Sequence, residues 1–306
     1  ERIAYCFQEF DNVLVAFSGG KDSGVLLNLC YNYADEHGLL DKLTMYHLDY
    51  EAQYQMTTEY VTRTFLEQFP GIRKMWYCVP IKAQSACALG EPYWTPWDAA
   101  KKNLWVRAMP ENPYVVHEGN LDVPFRHGMV DYEFQDKLSR HFAKKRGTTA
   151  VMVGLRADES LNRYAAVARG KKRRSYEGRK WITQTSAVTA NVYPLYDWRV
   201  SDIWTATARL GFDYNRLYDL LYQAGLTAGQ MRVASPFNDC AQESLKLYKV
   251  IDPSNWARMI GRVNGANFAA LYGRTAAAGW PRRRIWPLGC PAHASAAPPY
   301  RTPIGR

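Results

Sequence analysis

No two of the six cysteines, Cys6, Cys30, Cys78, Cys87, Cys240 and Cys290, stand in a C-x-x-C pair. That absence removes support for zinc ribbons, thioredoxin-like dithiols and the common iron–sulfur spacings, so no iron–sulfur cluster is expected. Several of the cysteines lie in apolar runs that suit buried thiols. Long apolar runs are missing too: none is long enough to span a bilayer, and no secretory leader is legible. The expectation is a reduced, cytoplasmic protein that does not enter the membrane. Glu1 stands where a native chain starts with methionine, so native N-terminal residues are expected to be missing. Acidic residues are fewer than basic ones, 29 Asp plus Glu against 39 Lys plus Arg, a net charge of +10. The excess suits an anionic partner, whether nucleotide, nucleic acid or membrane surface, and does not choose among them.

The 306 residues are 47% hydrophobic and include 10 Trp and 21 Tyr, enough for one large domain with an appendage. There is no internal repeat. The apolar run 12–17 predicts a buried strand, and Val25, Leu26, Leu29 and Tyr33 recur at helical spacing over 22–38. Strands follow at 42–50 and 74–80, with a helix at 56–69 between them. The segment 80–130 holds Trp94, Trp97, Trp105 and prolines at 92, 96, 110, 113 and 124, and predicts a long irregular insertion, which in a compact domain is usually functional. Its tryptophans suit either an acceptor pocket or core packing. A helix at 131–147, a strand at 149–156, a helix at 158–170, a short strand at 191–198 and a helix at 200–211 come next, with helix to about Tyr272. Alternating strands and helices predict an α/β fold with a doubly wound parallel sheet. The expected division is a nucleotide-binding domain over 1–200, a helical C-terminal region over 201–278 and a Pro/Ala/Arg-rich tail over 279–306.

The run "SGGKDS", Ser18 to Ser23, sits where the first strand ends and the first long helix begins. At the carboxyl end of a strand in an open sheet, such a loop offers backbone N–H groups and the positive end of a helix dipole to an anion. Gly19 and Gly20 permit an anion-cradling turn, Lys21 adds a charge, and Ser18 and Ser23 add hydroxyls. Asp22 is placed either to cap the helix or to hold Mg²⁺. The P-loop of ordinary nucleotide hydrolases is excluded, because Val15 stands where that motif needs glycine.

The loop resembles the PP-loop of the ATP pyrophosphatase superfamily. Downstream, "VGLRADESLNR" (153–163), "HLDYEAQY" (47–54) and "VYPLYDWRVSDIW" (192–204) resemble segments of the phosphoadenylylsulfate (PAPS) reductase family in order and approximate spacing. The resemblance covers roughly residues 1 to 275. "YWTPWD" (93–98), "RADESLNRY" and "NRLYDLLYQAGL" (215–226) look closest to the IbrA-like group, named as co-activators of prophage gene expression and thought to act with a ParB/sulfiredoxin-like protein. The resemblance implies an adenine nucleotide alpha hydrolase-like (HUP-type) sheet of order 3-2-1-4-5. It implies ATP, or a PAPS- or APS-like adenine nucleotide, held between 18–23 and 155–160, with Mg²⁺. Lys21 and Arg156 are the implied catalytic cations, and Ser18, Gly19, Gly20, Asp22, Ser23, Asp49, Gly154 and Arg163 complete the nucleotide contacts. Asp158 and Glu159 fall in a first helical turn, where acids serve as caps or, with Asp22, as Mg²⁺ ligands. Arg163, one turn beyond Glu159, is placed for that acid or for ligand.

Three functions fit. The first is adenylation, in which ATP is split between its α and β phosphates, an acceptor oxygen receives AMP and pyrophosphate leaves. The second is a nucleotide-binding regulator of a protein or nucleic acid. Its motive is the basic run holding Lys171, Lys172, Arg173 and Arg174, which suits non-specific nucleic-acid phosphates, a lid over the nucleotide, or a solvated loop. The third, a thiol-dependent sulfonucleotide reductase, ranks below both. The family's reductases need a C-terminal "E-C-G-L-H" segment, whereas Cys290 is followed by Pro-Ala-His.

Overall fold

In the computed structural model, described for residues 1–272 except Leu89, 161–162, 166–174, Ala234 and 239–240, the apolar runs become the middle of one sheet. Strands β1 (Asn12–Ala16), β2 (Leu43–Leu48), β3 (Arg73–Cys78), β7 (Thr149–Val153) and β10 (Thr189–Val192) carry them. Their order, β3-β2-β1-β7-β10, is the expected 3-2-1-4-5, and every neighbouring pair is parallel. β2 is buried along its whole length, as a strand covered on both faces must be. Beyond β3 lies the short parallel β6 (Val115–His117). Beyond β10 an antiparallel hairpin is added, β9 (Arg179–Gln184) and β8 (Ser175–Tyr176), turning at Glu177–Gly178 with positive φ at both.

Helices α1 (Arg2–Glu9), α2 (Lys21–Glu36) and α3 (Gln55–Glu67) cover one face with α5 (Val200–Leu210). Their core includes Phe7, Leu26, Phe65, Trp76, Met152 and Ile203. α4 (Asp131–Arg146) covers the other face over Leu14, Tyr77, Phe134 and Leu138. A third core lies beneath α6 (Leu217–Gln223), α7 (Gln242–Leu245), α8 (Tyr248–Ile251), α9 (Pro253–Arg262) and α10 (Ala266–Tyr272). Among the described residues, no helix is long and apolar enough to cross a membrane.

The segment 80–130 is more ordered than its prolines suggest. It forms the hairpin β4 (Ala83–Ala88) and β5 (Glu91–Trp94), a 3-10 turn at Ala99–Leu104, and β6. Trp94 and Trp97 are buried in two different cores. Two buried carboxylates bind this segment to the loop after β2. Asp49 pairs with Arg107 at 2.5 Å, and Glu51 accepts from Trp97 N, Val106 N and Arg262. The helix expected at 158–170 begins instead as a 3-10 turn, Ala157–Glu159. Most of its remainder lies outside the described residues.

Candidate functional site

β1 and β7 are adjacent, with β2 beyond β1 on one hand and β10 beyond β7 on the other, so the strand order diverges between them and their carboxyl ends meet where ligands bind in open α/β sheets. After β1, Gly19 turns into the left-handed region at φ +76°, where a Cβ would stand 2.8 Å from Val61 Cγ2. Ser23 Oγ then closes the loop on itself. It accepts from Ser18 N at 3.1 Å and donates to Gly20 O at 3.0 Å. Gly20 N donates to Ser18 Oγ at 3.3 Å. α2 begins at Lys21, so its first turn opens into the crevice. From β7 the chain returns through Gly154, and a Cβ there would lie 2.9 Å from both Asp22 C and Ser23 N. Glycine at this position lets the two loops touch backbone to backbone.

Between them lies a cavity of about 260 Å³, lined in part by Ser18, Lys21, Asp22, Gly154, Glu159 and Arg163. Lys21 is 5% exposed. Its Nζ is 3.1 Å from Asp22 Oδ2 and 3.5 Å from Met231 O, and lies 5.4 Å from the centre of the Tyr218 ring. Burial pulls the ammonium pKa below its ordinary value, although Asp22 opposes the shift.

Arg156 sits behind this wall, not in it. It is 2% exposed and does not line the cavity. Its Nε binds Asp22 Oδ1, while its terminal nitrogens face Asp158 at 3.4 Å and Glu159 at 3.7 Å. The carboxylates assigned to Mg²⁺ therefore share a guanidinium. Among the described residues no group of three His, Cys, Asp or Glu is placed to hold a metal ion. This donor set does not fit a metal held by protein side chains alone. Arg163 pairs with Glu159.

Asp49, an expected nucleotide contact, does not line this cavity, whereas its neighbours Leu48 and Tyr50 do. Successive residues of an extended chain alternate in direction. Asp49 is 0% exposed and accepts from Arg107, Trp76 Nε1 at 2.8 Å and Glu51 N at 2.8 Å. Burial pushes its carboxyl up, but Arg107, His47 and these hydrogen bonds outweigh it, and the net pKa is lowered.

Residues given no site role from the sequence complete the site. Tyr218 Oη accepts from Lys21 N at 3.1 Å, and Asn215 Nδ2 donates to Gly19 O at 3.2 Å. Arg232 lines the cavity and donates to Glu159 O at 2.6 Å. On the α4 side, Tyr46 donates to Gln135 Oε1 at 3.1 Å and Tyr50 to Asp131 Oδ2 at 3.1 Å. Asn215, Tyr218 and Tyr50 lie in segments that carry the family resemblance, which was the available signal; Tyr46, Gln135 and Arg232 have no such local pattern. The C-terminal region thus contributes to a site expected within 1–200. Lys171, Lys172, Arg173 and Arg174 lie outside the described residues, as do Cys240, Cys290 and the tail. The other four cysteines are buried, with thiol pKa values raised by burial, to about 12 for Cys6 and about 11 for Cys87. They are not poised nucleophiles.

A second cavity, about 990 Å³, opens beside β3 and β6 and is lined in part by Trp97, Trp105, Lys102, Arg107 and Arg258. It lies on the face opposite α4, apart from the loop 18–23.

Comparison with known proteins adds the following. The uncharacterized protein YbdN of Escherichia coli K12 is 34% identical over 275 residues, which are 89% of this chain and 66% of that protein. The chain therefore spans just under two thirds of that relative. The phosphate complex of a phosphoadenylyl-sulfate (PAPS) reductase from Candida auris superposes with a TM-score of 0.40 at 14% identity, covering 76% of this chain and 85% of that one. A Candida glabrata FMN adenylyltransferase bound to FMN and the ATP analog AMPCPP gives a TM-score of 0.37 at 15% identity, over 68% of this chain and 51% of that one. Residues 225–290 match a domain of unknown function (DUF3440). Residues 12–225, well over half of the chain, match the phosphoadenosine phosphosulfate reductase domain, and the chain belongs to that family.

Proposed function

We propose that the protein binds ATP at the 18–23 loop and transfers its adenylyl group to an acceptor oxygen, releasing pyrophosphate. The observation that carries the reading is the junction of Gly154 with the first turn of α2. It presents a helix N-terminus and the buried Lys21 to one cavity at the carboxyl ends of β1 and β7. The bond from the α phosphorus to the bridging oxygen breaks, the acceptor oxygen bonds to that phosphorus, and the electron pair leaves with pyrophosphate. This chain's share is positioning and charge neutralisation. Lys21 holds phosphate oxygens, Arg163 and Arg232 approach from the cavity rim, and Arg156 acts through the carboxylates it orients. Mg²⁺ would arrive with the nucleotide and neutralise phosphate charge. Calorimetry with ATP, followed by a pyrophosphate-release assay over candidate acceptors, tests the reading; absence of ATP binding removes it.

A second reading is a nucleotide-binding regulator without turnover, related to the IbrA-like co-activators and working with a ParB/sulfiredoxin-like protein. The mutual pairing of Lys21, Asp22, Arg156 and Glu159 favours it, because the acids and bases are occupied by one another. ATP binding without pyrophosphate release under any acceptor supports this reading over the first. The sulfonucleotide reductase ranks third: the four described cysteines are buried thiols, and Cys290 lacks the reductase surroundings.

A further inference from the structure

The carboxylate of Asp22 is already in contact with Lys21, the cation proposed to hold phosphate. One oxygen is 3.1 Å from Lys21 Nζ and the other is held by Arg156 Nε. The Asp22 side chain is 12% exposed, Lys21 4% and Arg156 3%, so the trio is screened little by water. Asp22 and Lys21 line the cavity; Arg156 pins the carboxylate from behind. Around it stand four cations, Lys21, Arg156, Arg163 and Arg232, against three acids, Asp22, Asp158 and Glu159.

We propose that Asp22 is an internal counter-anion that sets the anion selectivity of this site: a ligand phosphate reaches Lys21 only by displacing it. The inference rests on the nucleotide reading and specifies the ligand class, polyanions such as a triphosphate or pyrophosphate. A ligand with a single weak negative charge gains too little from Lys21 to displace a carboxylate already in contact. A polyphosphate, with several charged oxygens, replaces the lost contact and adds others at the rim. This role has the opposite sign to that of a metal ligand. Removing a metal ligand weakens metal-dependent nucleotide binding, whereas removing a counter-anion tightens metal-free anion binding.

The test uses the whole chain and inorganic pyrophosphate as probe, titrated by calorimetry without divalent cations. Asp22→Asn keeps the size and a hydrogen-bonding oxygen for Arg156. A like charge about 4 Å from a bound anion is worth an order of magnitude in affinity even when well screened. Pyrophosphate should therefore bind about tenfold tighter to Asp22→Asn, and Asp22→Glu, which keeps the charge, should stay near wild type. Because Asp22→Asn removes the carboxylate at Nε of the buried Arg156 and leaves that guanidinium only Asp158 and Glu159, the same step is also made in an Arg156→Gln background. Asp22→Asn/Arg156→Gln should again bind pyrophosphate more tightly than Arg156→Gln alone. If wild type binds ATP but neither background shows tighter pyrophosphate binding, the counter-anion is overturned and the nucleotide reading stands. If wild type binds neither ATP nor pyrophosphate and Asp22→Asn does not bind them either, both fall.

Discussion

Single atoms decide how the two site loops meet. A methyl group at position 154 has no room, because it would stand 2.9 Å from two backbone atoms of the first turn of α2. Backbone cannot turn aside as a flexible side chain does, so Gly154→Ala should destabilise the chain by about 1–3 kcal/mol. It should weaken ATP binding with it, and urea melts with calorimetry read both; an unchanged midpoint would contradict the close approach. Lys21 differs in kind. It contributes charge more than packing, and Asp22 keeps Arg156 as a partner when the lysine is gone. Lys21→Ala should keep the fold and lose roughly tenfold to a hundredfold in ATP affinity, the range for a hydrogen bond to a charged group. Equal ATP affinity in wild type and variant removes the phosphate role of Lys21.

Elements are held to the sheet through the loop after β2. Glu51 sits there at φ +63° and 0% exposure, accepting from two backbone N–H groups and from Arg262 of α9 at 2.9 Å. Arg262 also donates to Thr95 O at 2.6 Å, so one ion pair joins the C-terminal helices, the β5 segment and the sheet. Buried pairs add little net stability against an apolar replacement, but breaking one strands a charge. Arg262→Ala should therefore cost about 3–5 kcal/mol, while the double variant Glu51→Gln/Arg262→Met should cost clearly less. Denaturant titration of both variants checks the pairing; equal losses would show that packing, not the stranded carboxylate, sets the cost.

The whole molecule should unfold as one unit. Tyr218, Met231 and Arg232 touch the loops around 18–23 and 154–159, so nucleotide seated there is in reach of both the sheet and the C-terminal region. ATP should raise a single calorimetric transition, by mass action on the folded state. Two transitions, only one of them moved by ATP, would separate the regions. The pH profile follows from two buried groups. His47 is 0% exposed, with Nδ1 2.8 Å from Phe17 O, and burial lowers its pKa despite Asp49 nearby. The unfolded chain takes up that proton first, so the His47 contribution is full above its ordinary value, about 6.5, and is lost as pH falls. Asp49, also lowered, contributes above about 3.9 and loses that as pH falls through its folded value. The urea midpoint should hold from pH 8 to about 7 and decline in these two stages below it. A midpoint rising on acidification would reverse the sign assigned to both.

The sequence by itself determined the order of elements and the chemistry of the loop. Buried strands are continuous apolar runs, and glycines, lysine and hydroxyls beside one another in the chain stay beside one another in a turn, so β1, β2, β7 and the 18–23 loop were legible. Length and proline content obscured β4, β5 and β6, because short strands leave a weak period and their pairing partners lie far off or across a bulge. Only the tertiary structure decided which side of the chain each residue shows and what meets it. Asp49 and Leu48 are neighbours in sequence, yet one is locked to Arg107 and the other lines the cavity. Arg156 had the right loop for a phosphate clamp, but three nearby carboxylates take its guanidinium. Tyr218 and Arg232 reach the site from some 200 and 70 positions away, at contacts that no local pattern encodes. Local chemistry is written along the chain; the direction of a side chain and its distant partner are set by how the layers pack.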